Sequence, residues 1–409
     1  MEMKDNYDVV IVGAGPAGLA AGIDLAKEDV NVLILDRKQE IGCPKRCAEG
    51  LGLGWFNRLE LKPKKEWAVQ PIHGAALYAP NGEGVQMKRK EVMGYVLERK
   101  MFEKDMAIQA AKAGAKILLK HQVISAKRED GEVILTVEAD NQTRTVRTPL
   151  VVACDGVDSL TAKMLGLNTK LDLNETDAGY QYEMTGVSGY DEHLLHLYFG
   201  TDIAPRGYVW IFPKRNGTAN VGIGIGAYEE KTAKYYLDKW ISEQDGLANG
   251  SIIEVNAGAI PVGGFLDKME ADNLIVAGDA GHMVDPIHGG GIGIALEGGR
   301  LAAKHALKAI KSEKYSNEDL EAYTPDWYNT RGNELKKRLK GRHLLEQLKD
   351  DDFNYLAGSI TMDEALKIGN GALTKKDKLL LLSKKLVTRP GLVKIFMKYM
   401  KDDSGMPKK

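Results

Sequence analysis

Tyr7-Asp8-Val9-Val10-Ile11-Val12-Gly13-Ala14-Gly15-Pro16-Ala17-Gly18 is a short valine-rich run that breaks into a glycine turn and then into an alanine-rich stretch reaching Lys27. The apolar run is short and β-branched, so it reads as a strand, and the alanines after the turn read as a helix. Asn31 to Leu35 is a second apolar run ending in Asp36. Strand, turn, helix and strand follow one another closely enough to form a βαβ unit, whose two strands must lie parallel. In such a unit Gly13 makes the tight turn, Gly15 lets the backbone approach a pyrophosphate, and Gly18 lets helix and strand pack closely, with Ala17 beside it. The helix N-terminus offers free amides to the phosphates, and Asp36 is placed to accept from ribose hydroxyls. This is the pattern of a dinucleotide site; it leaves FAD and nicotinamide both open.

The rest of the chain must be built around that unit. At 409 residues with 44% hydrophobic content, the protein exceeds one ordinary domain and can bury a large core. A net charge of -1 provides no global field for nucleic acid, so that class of partner is set aside. Met1 to Asp5 passes directly into the first strand without the regions of a signal peptide, and no run of about 18 apolar residues occurs, so a cytoplasmic protein with at most peripheral membrane contact is expected. Cys43, Cys47 and Cys154 are an odd set that argues against a disulfide framework.

Residues 70–92 alternate loosely around Pro80-Asn81-Gly82 and read as a small antiparallel insertion. Tyr95 to Ala113 reads as a helix, Ala115 to Ala126 as a strand, and Asp130-Gly131 as a hairpin turn. The first domain resumes at Leu150-Val151-Val152-Ala153-Cys154-Asp155-Gly156; between Asp172 and Ile260 the chain becomes strand-rich; Asn273 to Ala277 is again a buried strand, leading to Gly278-Asp279 and a glycine-rich helix start at Gly289 to Gly293. The expected fold is therefore α/β, with a Rossmann-like nucleotide domain formed discontinuously by residues 1–70, 93–170 and 270–325. An interleaved antiparallel-sheet substrate domain takes 71–92 and 171–269, and a helical C-terminal region takes 326–409.

Ala153-Cys154-Asp155-Gly156 with Ser159, and Ala277-Gly278-Asp279-Ala280 with Asp285-Pro286, resemble the second and third fingerprints of FAD-dependent aromatic hydroxylases and their relatives. That resemblance selects FAD. It implies that Asp155 belongs to the cofactor site, that Asp279 holds the ribitol chain, and that Gly290, Gly291 and Ile292 present amides toward the flavin. It also implies that Arg99 lies near the flavin and that Val123 lies at the strand contacting adenine. No second glycine fingerprint sits in a βαβ context, so no dedicated nicotinamide domain is expected.

Two further stretches narrow the resemblance. Gly42-Cys43-Pro44-Lys45-Arg46-Cys47-Ala48-Glu49-Gly50 resembles the segment of geranylgeranyl reductases in which a cysteine sits beside the flavin, and Tyr208-Val209-Trp210-Ile211-Phe212-Pro213 with Gly222, Gly224 and Gly226 resembles that family's Y-x-W-x-F-P element and trailing glycines. These motifs occur in the family's order over roughly the first 310 residues, and the likeness is greatest to the archaeal branch acting on glycerophospholipids. The resemblance adds Cys47, Ala48 and Gly50 to the flavin surroundings and implies reduction of isoprenoid double bonds by hydride from the flavin plus a proton.

Tyr208, Trp210 and Phe212 alternate on a strand and so face one side, where they form either the wall of a slot for a prenyl chain or an aromatic core stripe. Cys47 is either a small buried thiol or, with a nearby water as rival, the proton source; a metal site is not expected. Ferredoxin, a reduced deazaflavin and a nicotinamide all remain as electron donors. Lys375 to Met400 mixes lysines with large apolar residues, a composition that suits either docking on anionic lipid or packing on the body. The rival functions are aromatic monooxygenation on the same fold, electron transfer to a membrane quinone, and lipid carriage with FAD kept as a structural part. Three dispersed cysteines cannot hold the iron-sulfur module that the quinone reading calls for.

Overall fold

The computed structural model describes residues 6–369, 372, 374–381, 386 and 388–401. Its first layer is a six-stranded sheet in the order Glu270–Ala271, Leu274–Val276, Val151–Ala153, Val9–Val12, Val32–Asp36, Lys116–Leu119. All neighbours run parallel except the short Glu270–Ala271 pair at the edge. Because side chains alternate along each strand, Val9 and Ile11 join the core of helices Pro16–Ala26, Arg99–Lys112 and Ile292–Ser312 on one face. Val10 and Val12 join Val123, Val133 and Leu135 on the other, where a three-stranded antiparallel sheet covers them. Burial on both faces explains why these strands read as unbroken apolar runs.

The second layer is a seven-stranded sheet in the order Ser251–Pro261, Thr176–Thr185, Thr218–Gly226, Tyr208–Pro213, Leu194–Tyr198, Gly74–Tyr78, Gly84–Lys88. The hairpin expected around Pro80-Asn81-Gly82 is present, and Gly74–Tyr78 pairs in parallel with Leu194–Tyr198 to extend the large sheet. Helix Ala233–Ser242 covers the outer face, burying Leu237 and Trp240 against Tyr182, Val221 and Ile223. The inner face is turned to the nucleotide layer.

One expectation needs correction. The helix read over Tyr95 to Ala113 begins only at Arg99, because Gly94–Leu97 is the central strand of a small sheet between Gly50–Gly52 and Ala68–Ile72. Pairing partners on both sides outweigh the local helical signal there. In the C-terminal region, Leu381, Leu386, Leu392 and Phe396 are buried with Leu344, Leu348 and Leu356 in a core of their own. These four residues of the tail thus pack on the body, while Leu380 and Met397 are exposed; Leu382, Lys384 and Lys385 lie outside the described residues. Among the described residues, no helix is long and apolar enough to cross a membrane.

Candidate active site

A cavity of about 1040 Å³ is walled by both sheets. At one end stand Gly13, Gly15 and Ala17. A Cβ on Gly18 would overlap the Gly13 carbonyl, so glycine there is enforced by close packing, whereas the Cβ direction of Gly15 is open for 4 Å. Open space in front of the second glycine, at the N-terminus of helix Pro16–Ala26, is what a pyrophosphate requires. Asp36 is differently engaged than expected. Its carboxylate accepts from the amides of Ala14 at 2.7 Å and Lys38 at 2.8 Å, so it first ties the end of its strand to the glycine turn. Only its remaining lone pairs are free for a ribose.

Further along the wall, Val123 and Asp155 flank the same end. One oxygen of Asp155 accepts from the Thr161 amide at 2.8 Å, and the other is buried without a partner. Burial pushes this carboxyl up. Asp279 also lies on the wall, and its carboxylate takes no hydrogen bond from the described residues; burial raises it, opposed by Arg99 and His282. Two half-buried carboxyls, an open phosphate approach and the start of helix Ile292–Ser312 form one track along the cavity wall. These features fit FAD: hydroxyl donors for the acids and amides for an electron-rich ring edge. At that helix start, the Gly290 amide is already occupied by Nδ1 of His288 at 3.1 Å, which leaves Gly291 and Ile292 as first-turn amides with no acceptor in their own helix.

The aromatic strand meets the track from the opposite sheet. Tyr208, Trp210 and Phe212 all line the cavity. Trp210 pairs across the ladder with Gly222, where a Cβ would overlap the indole; the trailing glycine of the motif therefore exists so that the indole can lie flat on its neighbour strand. The Tyr208 hydroxyl donates to the His288 carbonyl at 2.6 Å, fastening the strand to the loop before the helix start. Phe212 packs so closely on Gly50 that a Cβ there would stand 2.8 Å from its ring. Beyond these rings the cavity continues between Ile72, Met87, Met93, Leu195 and Leu197.

The cysteine segment joins the two sides. Gln181, buried in strand Thr176–Thr185, accepts from the Trp210 indole at 2.9 Å and donates to the Cys47 carbonyl at 3.1 Å; Asn220 donates to the Ala48 carbonyl at 3.1 Å. The Cys47 sulfur accepts from the Glu49 amide at 3.1 Å. Burial pushes the thiol up, against the opposing pull of the Arg99 guanidinium, so Cys47 is protonated at neutral pH. Burial works against the charge on Arg99 itself, and Glu103, to which its Nε donates, overrides that. Beside the loop, Asp285 is held well below the ordinary carboxylate range. Burial would raise it, but His288, Arg338 and the Ile287 amide prevail. Among the described residues no group of acids, histidines and cysteines could hold a metal ion.

Every residue that the sequence assigns to the cofactor, the proton source or the prenyl slot lines this one cavity except Gly18, which stands directly behind the turn. Gln181, Asn220, Glu49 and Lys214 were not singled out. A signal existed: the period-two alternation through Tyr208, Trp210 and Phe212 continues to Lys214, just past the strand end, and an inward lysine demands partners.

Comparison with known proteins agrees with this geometry. The profile of the FAD binding domain matches residues 8–76, and that of the geranylgeranyl reductase catalytic domain matches residues 175–260. Digeranylgeranylglycerophospholipid reductase 1 of Methanosphaera stadtmanae is 40% identical over 349 residues, 85% of this chain and 86% of that protein. Digeranylgeranylglycerophospholipid reductase of Methanocaldococcus jannaschii is 38% identical over 393 residues, covering 94% of this chain and 100% of that one. A geranylgeranyl bacteriochlorophyll reductase-like protein of Thermoplasma acidophilum superposes with a TM-score of 0.85 at 30% identity, covering 97% and 99% of the two chains.

Proposed function

The chain belongs to the geranylgeranyl reductase family, and from that premise we propose that it uses FAD to saturate the isoprenoid double bonds of geranylgeranyl chains on archaeal-type glycerophospholipids. One observation carries the reading most: the nucleotide turn, the cysteine segment and the aromatic strand open onto a single cavity whose far end is apolar.

In this scheme Gly13, Gly15, Ala17 and Gly18 receive the pyrophosphate, Asp36 and Val123 flank the adenosine half, and Asp155 and Asp279 accept from cofactor hydroxyls. Bound FAD supplies the hydride. Gly291 and Ile292, with Gly290 beside them, offer backbone amides where negative charge gathers on reduction, and Arg99 adds a fixed positive charge. Tyr208, Trp210 and Phe212 wall the prenyl slot and keep water from it. An isolated alkene is a poor hydride acceptor, so one carbon must gain a proton as the other gains hydride. Cys47, held as a thiol, gives that proton and leaves a thiolate facing Arg99, which is then reprotonated from water. Reducing equivalents enter from ferredoxin, a reduced deazaflavin or a nicotinamide, and the protein works on the cytoplasmic side, in peripheral contact with the lipid layer that holds its substrate.

The test is anaerobic. Flavin on the purified protein is reduced with dithionite, a geranylgeranylated glycerophospholipid is added, and flavin reoxidation is followed together with product mass. A gain of two hydrogens per saturated bond is expected; flavin that stays reduced over unchanged lipid overturns the proposal.

A further inference from the structure

Beneath the Cys47 turn lies an ionic cluster that no step of this reaction uses. The side chains of Lys45 and Glu49 have no exposed surface, and that of Lys214 is 3% exposed. One Glu49 oxygen receives Lys45 at 3.3 Å, Lys214 at 3.1 Å and the Asn220 amide at 2.7 Å; the other receives the Arg99 amide at 2.7 Å. Lys45 also bonds Glu183 and approaches Glu254 at 3.7 Å, while Lys214 reaches Glu98 at 2.8 Å and Glu183 at 3.2 Å. Burying that many charges is a poor way to gain stability, since apolar residues of similar size serve as well or better. What such a cluster does provide is a fixed point.

The point it fixes is strained. Glu49 has φ +73, a left-handed conformation that is unfavourable for a non-glycine residue and persists only where its surroundings hold it. The amide of this same residue donates to the Cys47 sulfur at 3.1 Å. The clamps come from three directions: Lys45 from the same loop, the Arg99 amide from a helix start, and Asn220 and Lys214 from the seven-stranded sheet.

We propose that Glu49 is the positioning residue for Cys47, its clamped carboxylate holding the left-handed turn that sets the thiol at the cavity wall. Around the sulfur stand the Arg99 guanidinium on the helix side, the Tyr208 hydroxyl on the strand side, and Glu49 on its own turn. The Glu49 carboxylate therefore opposes Arg99 at the thiol, in the same direction as burial. The effect on turnover rests on the reading of Cys47 as proton donor; the effect on the thiol itself does not.

The experiment follows alkylation of Cys47 by iodoacetamide against pH in the flavin-loaded protein, read by peptide mass spectrometry, for the parent, Glu49→Gln and Lys214→Met. Loss of the anion moves the Glu49→Gln midpoint down by about one pH unit. Loss of a cation moves the Lys214→Met midpoint up. Glu49→Gln also lowers kcat by about tenfold with KM nearly unchanged. Midpoints that coincide with the parent, or that move in the same direction in both variants, overturn the proposal; if Glu49→Gln fails to fold, the absence of an upward shift in Lys214→Met does so alone. Opposite shifts with full alkene turnover leave Glu49 as the positioning residue and remove Cys47 as proton donor.

Discussion

The indole N–H of Trp210 donates to the side-chain oxygen of Gln181 at 2.9 Å, and through the other end of that side chain Trp210 is tied to the Cys47 carbonyl. The aromatic wall and the cysteine turn are thus one hydrogen-bonded unit with a single buried link. Gln181→Leu keeps the volume and breaks both bonds, leaving a donor and an acceptor buried and unpaired at about 1–3 kcal/mol each. The expected outcome is a lower urea midpoint and about tenfold slower reoxidation of reduced flavin by lipid, with flavin content retained. Combined with Trp210→Phe, which removes the donor, the losses should fall short of additive; full additivity would mean that the bridge does not couple the two.

Gly15 and Gly18 separate binding from folding. The Cβ of Gly15→Val has no protein atom within 4 Å, so the variant should fold with a near-parental circular dichroism spectrum and lose at least about tenfold in FAD affinity. Gly18→Ala drives a methyl into the Gly13 carbonyl and should reduce soluble yield as well as flavin. Fluorimetric FAD titration of refolded apoprotein distinguishes the two, and equal affinity for Gly15→Val would remove Gly15 from the phosphate track.

Gly222 supports Trp210 from below. Gly222→Ala inserts a methyl where the indole lies, and overpacking of this kind costs about 1–3 kcal/mol. Thermal unfolding should shift downward, and Trp210 fluorescence should respond to an indole lifted toward the slot. An unchanged melting temperature and spectrum would show that the strand tolerates the methyl by local adjustment.

Acid should loosen the join between the C-terminal helix Asn333–Leu345 and the seven-stranded sheet. Burial would raise the Glu346 carboxyl, but His343, Arg342 and Arg206 bring it down to about 2. A folded value below the unfolded one contributes stability that is fully present above about pH 4.5 and is lost as pH falls toward 2. Glu346→Gln should therefore be less stable than the parent at pH 7, by on the order of 2 kcal/mol, and the difference should vanish near pH 2. Urea midpoints at stepped pH measure this; a constant gap across the range would contradict it.

The nucleotide unit was legible because its signals are local. A strand, three glycines at fixed offsets and an acid at the next strand end all act within one βαβ stretch, and the aromatic strand announces its inward face by period two. Glu49, Gln181 and Lys214 were hidden for the opposite reason. Lys45 and Lys214 meet at Glu49 only because two sheets fold against each other, and a charged residue in a loop carries no local sign of being buried. Tyr95-Val96-Leu97 was misread as helix for a related reason, since its strand partners lie at Gly50–Gly52 and Ala68–Ile72 rather than next to it in the chain.

Strand Val151–Ala153 waits for Leu274–Val276 to complete its pairing, and helix Pro16–Ala26 waits for Ile292–Ser312 to cover it. A ribosome making this chain releases the glycine turn first and the segments that close the pocket around it far later. Until about residue 312 has emerged, the nascent polypeptide carries an open sheet edge and an uncovered alanine face, features that invite mispairing and chaperone capture. Flavin loading is thereby a late event of biosynthesis, and a chain cut short by a stop codon before that point carries the nucleotide fingerprint but cannot assemble its site.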